Sequence, residues 1–169
     1  MKKTPAAQIA FGGVMAALAL VIMNLVSLIP VATYVCPSLC MILLSVVLRL
    51  CGSRIGWAWY GTVAILSSLL APDKEAVAIF VVLGYYPIIK PLFEKTKISV
   101  FLKYLFFNAA VLSVYWLLIH LMGLTEIAKE FSEMGILFTA VMLLMGNLIF
   151  AMLDKILSRI TVMNKWGRK

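Results

Sequence analysis

The amino-acid sequence predicts an all-α, polytopic membrane protein: six transmembrane helices forming one membrane domain over residues 1–169. Three observations carry this. Of the 169 residues, 64% are apolar and 13% charged, and the mean hydropathy is +1.07, whereas a soluble domain is about half apolar and a quarter charged. The apolar residues fall into six runs divided by short polar breaks. The basic residues alternate from break to break. About 20 residues cross a hydrocarbon core ~30 Å thick, so six crossings use roughly 120 residues and leave only short loops. A soluble globular enzyme, a disordered chain and a disulfide scaffold are excluded.

The first span covers about 5–28, with Pro5 suited to the first helical turn and Pro30 ending the segment. Its Met-Lys-Lys start mimics a signal peptide, but the apolar run continues to Ile29 without a clean cleavage site and reads as a retained helix. The second span, 37–50, opens at Pro37 and closes at Arg49, which can snorkel, before the tight turn Gly52-Ser53. The third, 55–70, carries Trp57, Trp59 and Tyr60 as an interfacial belt. Ala71 to Glu75 interrupts the pattern, and its acids suit the first turn of the next helix, where they oppose the dipole. The fourth span, 76–92, contains Pro87 and Pro91, which should kink or end it, and Lys90, read as snorkelling to the cytoplasmic face. The fifth and sixth spans cover 100–122 and 134–157, separated by a polar stretch from Thr125 to Glu133 and followed by a basic tail.

Placing the N-terminus in the cytoplasm puts 13 of the 15 Lys and Arg inside and leaves only Lys74 and Lys129 outside. Five of the seven acids fall outside. The rule that cytoplasmic loops are positive therefore predicts both termini cytoplasmic, and it accounts for the net charge of +8 without nucleic acid.

In lipid, helices associate through close packing of small residues. Ala6, Ala10, Gly13 and Ala17 share one face of the first helix, with Asn24 five turns from Ala6 on it; Gly12, Ala16 and Ala19 form a second small face. Such a helix can pack on its own bundle and on a partner chain. No charge lies at the centre of a span, which argues against an ion-coupled pump. Aromatics, amides and the single imidazole of His120 are what a pocket for a small, flat organic molecule contains. Each also has a plainer reading: His120 as an interfacial residue, the tyrosines and Trp116 as packing or belt, Asn24 and Asn147 as interhelical hydrogen bonds. Cys36, Cys40 and Cys51 read as apolar packing residues, since Pro37 lies between the first two and no His or acid completes a metal set. There is no nucleotide-binding loop, phosphate cradle or catalytic set around the lone histidine, so the expectation is a non-enzyme without metal or cofactor.

The stretch Ile9-Ala-Phe-Gly-Gly-Val-Met-Ala-Ala-Leu-Ala19 resembles the first helix of substrate-binding S components of energy-coupling-factor (ECF) vitamin transporters, and Gly52-Ser-Arg-Ile-Gly56 through Gly61 resembles their Gly-rich third-helix region. Length and six-helix topology match over the whole chain; the acidic residue that often follows the Gly-rich segment is replaced by Ser67 and Ser68. The resemblance implies a multi-pass protein of the bacterial cell membrane that binds a vitamin or similar small molecule on the outer side. It also implies docking on a membrane scaffold subunit driven by two cytoplasmic ATPases. Carried onto this chain, the docking face is Ala6, Ala10, Gly13 and Ala17. The pocket is drawn from Asn24, Tyr34, Tyr85, Asn108, Tyr115, Trp116, His120 and Asn147, with Ile29–Cys36, Asp73–Glu75 and Thr125–Glu133 at its rim. Two other readings stay open: a structural membrane protein of cell-envelope assembly, and a stand-alone facilitator.

Overall fold

The computed structural model describes residues 4–28, 32–95, 98–120 and 143–160. These are helical throughout apart from turns, in the order α1 (Pro5–Asn24), α2 (Ala32–Cys51), α3 (Ser53–Leu70), α4 (Lys74–Leu83), α5 (Tyr86–Phe93), α6 (Ser99–His120) and α7 (143–160). Four helical segments are long and apolar enough to cross a membrane: Pro5–Asn24, Ala32–Cys51, Lys74–Phe93 and Ser99–Leu117. The predicted third span matches α3, whose Ser, Thr and Arg residues keep it out of that set. Of the predicted sixth span, residues 134–142 lie outside the described residues.

Local chemistry sets the boundaries. The Thr4 hydroxyl accepts from Ala7 N–H at 3.4 Å and caps α1, with Pro5 in the first turn as expected. The α-helix ends at Asn24 and tightens into a 3₁₀ turn over Leu25–Leu28. The second helix departs from expectation: it begins at Ala32 rather than at Pro37, which is buried inside α2. Proline lacks the N–H that would bond the Thr33 carbonyl, but one missing bond near a helix start is tolerated when the following turns are well packed. Between α2 and α3 the chain reverses at Gly52 alone, with φ 88° and ψ 173°, a conformation that only glycine adopts without strain. Lys74 Nζ donates to the Ser68 and Ala71 carbonyls at 3.1 Å each and so satisfies the C-terminal end of α3. Asp73 caps α4 by accepting from Glu75 N–H at 2.9 Å and Ala76 N–H at 3.1 Å, and Thr33 of α2 donates to its other oxygen at 2.9 Å. The predicted break in the fourth span falls at Gly84–Tyr85, because the Pro87 ring would collide with the Leu83 carbonyl in a continuous helix.

The packing is organised around α2. On one side, Ala19, Met23, Cys36, Cys40, Leu44, Val47, Trp59, Val63 and Phe80 join α1, α2, α3 and α4 in one buried cluster. On the other, Met41, Leu83, Tyr86, Phe107, Ala110, Phe150 and Leu153 join α2 to α4, α5, α6 and α7. Cys36 and Cys40 are buried, in keeping with their expected packing role, and no disulfide joins the three cysteines. Two glycines stand where helices come close. A β-carbon at Gly12 would lie 3.4 Å from Ile55 Cγ2, and one at Gly56 would collide with the Leu48 side chain. The helices run up and down, so charge segregates by end. Of the eight Lys and Arg among the described residues, Arg49, Arg54, Lys90, Lys95, Lys103, Lys155 and Arg159 lie towards one end; Lys74 lies at the other, with Asp73 and Glu75.

Candidate functional site: a cavity beside α2 and an open face on α1

A cavity of about 290 Å³ lies between α2, α4, α6 and α7, close to the lower end of the size range of ligand pockets. Its walls are apolar: Met41, Leu83, Phe107, Val111, Ile149 and Phe150 among others. Tyr34 and Tyr115 border it towards the acidic end of the bundle, Tyr86 towards the basic end. The Tyr34 hydroxyl donates to Glu75 Oε1 at 2.9 Å and lies 2.9 Å from the Tyr115 hydroxyl, which is also 3.5 Å from the same carboxylate oxygen. Glu75 thus gathers α2, α4 and α6 at this end. The sequence pointed to Asp73–Glu75 as cap and rim; the cap is Asp73, and Glu75 meets the tyrosines.

Of the predicted pocket residues, the structure brings Tyr34 and Tyr115 to the cavity. Asn108 and Asn147 do not line it. They face each other across α6 and α7 and exchange amide hydrogen bonds of 3.1 and 3.0 Å, each also donating to its own helix, to the Tyr104 and Leu143 carbonyls. An amide in an apolar bundle seeks its complement, and the nearest complement is another amide. Tyr85 sits at the kink, stacked on Trp57 with centroids 6.5 Å apart and edge-on to Phe106 at 5.9 Å. Trp116 is 63% exposed on the outer surface of α6. The Asn24 amide donates to the Leu20 carbonyl at 2.8 Å in the last turn of α1. The His120 side chain lies outside the described residues, as does the Thr125–Glu133 rim. Of the expected pocket residues, Tyr34 and Tyr115 thus border this cavity, whose other described walls are apolar apart from Ser38 and Tyr86.

The reading of Lys90 is also corrected. It is 3% exposed, and instead of snorkelling it donates to the Asp154 carboxylate at 2.6 Å, to the Asp154 carbonyl at 2.6 Å and to Ser158 Oγ at 2.7 Å. Lys103 of α6 binds the other Asp154 oxygen at 3.1 Å, and the Tyr86 hydroxyl donates to the first at 2.6 Å. The kink before Pro87 places Lys90 inside the bundle opposite α7. Sequence reasoning missed this cluster because Lys90, Lys103 and Asp154 each sit near a helix end, where a lone charge normally reaches water.

The four small residues assigned to docking, Ala6, Ala10, Gly13 and Ala17, are all exposed, and a β-carbon at Gly13 would have no atom within 4 Å. Ile9 and Val14 beside them are 67% exposed each. The other small face of α1 is internal, with Gly12 and Ala19 buried. The two faces lie on one helix, which is separated from the cavity by α2. Among the described residues no three His, Cys, Asp or Glu are grouped to hold a metal ion. Comparison with protein-family models, with curated proteins and with solved structures gives no match to this chain.

Proposed function

We propose that this chain is the substrate-binding membrane subunit of an ATP-driven importer of the ECF type, taking up a vitamin or similar small molecule. In this reading the chain crosses the cell membrane six times with both termini in the cytoplasm. The basic end of the bundle faces the cytoplasm and the Tyr34–Glu75–Tyr115 end faces out, in keeping with the positive-inside rule. The scaffold subunit docks on Ala6, Ala10, Gly13 and Ala17, and two cytoplasmic ATPases supply the energy.

One observation carries the proposal: α1 presents two small-residue faces, of which one is used inside the bundle and the other is left open on the side away from the cavity. A flat strip of Ala and Gly is the surface on which helices in lipid approach most closely. A binding body needs such a strip for its partner and a separate cavity for its cargo.

The test is co-purification from membranes. Gly13→Leu and Ala17→Leu should abolish recovery of a scaffold subunit and its ATPases while leaving ligand-induced thermal stabilisation intact. Undiminished recovery would overturn the docking assignment. The reciprocal Asn108–Asn147 pair also suits a second reading, a structural membrane protein whose polar residues join helices. In that case no vitamin or nucleobase should raise the unfolding midpoint of the purified chain.

A further inference from the structure

Towards the basic end, the cavity is walled by Tyr86 of α5 with Phe150 and Leu153 of α7. The Tyr86 ring is fully buried and meets Phe150 edge-on, with centroids 5.1 Å apart. The charge cluster lies next to this wall. Asp154, which follows Leu153 in sequence, accepts from the Tyr86 hydroxyl and from Lys90 at 2.6 Å each, and from Lys103 at 3.1 Å. Lys90 also donates to the Asp154 carbonyl and to Ser158 Oγ. One short helix, α5, therefore supplies both a wall of the cavity and two of the groups on Asp154.

That helix is jointed. It has eight residues and starts after the break at Gly84–Tyr85, where Pro87 has no N–H to continue the α4 ladder. The Val81 carbonyl, just before the break, accepts from the Tyr60 hydroxyl of α3. Hinges are residues at element ends that absorb a change of φ and ψ. On the α7 side, α5 is held by charges as well as by the Tyr86 ring. Parting two apolar faces exposes hydrocarbon to water, whereas a parted Lys and Asp recover the hydration that burial cost them. The Asp154 side chain is already 22% exposed. Lys90 also has an acid on its own helix, Glu94, 3.8 Å away. A Lys90 that leaves Asp154 therefore keeps a counter-charge.

We propose that α5 is the inner gate of the cavity, jointed at Gly84–Tyr85 and latched to α7 through Asp154, and that its release opens the cavity towards the basic end. The inference rests on the cavity being the cargo site of the importer subunit, and it adds the cargo's way out.

The test uses the full chain in lipid nanodiscs carrying Leu153→Cys, which places a thiol in the cavity wall. Reaction with a sulfonated maleimide, which needs a water path, is followed peptide by peptide by mass spectrometry. Native Cys40, fully buried against α1, reports general unfolding. Asp154→Asn should speed labelling at position 153 about tenfold, and Tyr86→Phe, which keeps the ring and removes one bond of the latch, about threefold, with Cys40 unchanged. Lys90→Met with Asp154→Leu replaces the ionic latch by an apolar one and should slow labelling below the parent's rate. A clasp with a purely structural role would leave that pair no slower than the parent. Where Asp154→Asn also speeds labelling of Cys40, that variant has unfolded, and Tyr86→Phe and the apolar pair decide. Unchanged labelling at position 153 in Asp154→Asn or Tyr86→Phe, or an apolar pair as fast as the parent, overturns the gate. Recovery of a scaffold subunit is a separate result: labelling that follows the latch without such a partner keeps the gate and removes the importer reading, and a partner without latch-dependent labelling does the reverse.

Discussion

Lys90 Nζ lies 2.6 Å from Asp154 Oδ1, joining two residues 64 positions apart and tying α5 to α7 inside the basic end of the bundle. Lys103 adds α6 to the same carboxylate at 3.1 Å. Glu94 lies further off, 3.8 Å from Lys90 and 3.5 Å from Lys103, so two acids balance two cations and Asp154 holds the three helices together.

The cost of breaking that cluster is set by what remains buried. Asp154→Asn removes the nearer counter-charge of Lys90 and Lys103, leaving them the longer contacts to Glu94, and should cost about 3 kcal/mol, since stranding one member of a buried pair is far worse than removing both. Thermal unfolding of the purified chain should show a large drop for Asp154→Asn and substantial recovery in the double variant Lys90→Met with Asp154→Leu. A double variant no more stable than the single would show that the ion pair is not what the helices rely on.

The amide pair should behave as a coupled unit of smaller size. Asn108→Leu strands the Asn147 amide, and Asn147→Leu does the reverse. Interhelical hydrogen bonds in membrane proteins are worth about 0.6 kcal/mol on average, up to ~1.7, so each single variant should lose stability on that scale and the double variant should lose less than the sum. Full additivity in a double-mutant cycle would mean that the two 3 Å bonds carry no energy.

The glycines separate inner from outer packing. Gly56→Val drives a side chain into Leu48 and should destabilise by ~1–3 kcal/mol through overpacking. Gly13→Ala adds a β-carbon with no atom within 4 Å and should leave the stability of the isolated chain within about 0.5 kcal/mol of the parent. Equal losses at both positions would mean that the open face of α1 is occupied within the chain itself.

Much of the local architecture was legible from sequence because it depends on short-range chemistry. Pro5 starts α1, Gly52 turns α2 into α3, Asp73 caps α4, and Pro87 breaks the fourth span. Each is a property of a few neighbouring residues. Pro37 misled because its effect depends on packing: a buried proline in an early turn can stay helical when the helix around it is held in place.

Sequence by itself determined the all-helical class, the long apolar segments, the two small faces of α1 and the alternation of charge along the chain. Those features follow from periodicity and composition, which a linear string contains in full. Which small face is buried, which tyrosines reach the cavity, and which residue completes each polar group were decided only in the tertiary structure. Asn108 finds Asn147, Lys90 finds Asp154, and Tyr34 finds Glu75 across gaps of 39, 64 and 41 residues. In an apolar interior each polar group must be satisfied by another, and the partner is chosen by proximity in three dimensions rather than by spacing along the chain. Asn108 and Asn147 therefore satisfy one another away from the cavity, and the cavity's described walls are mainly apolar.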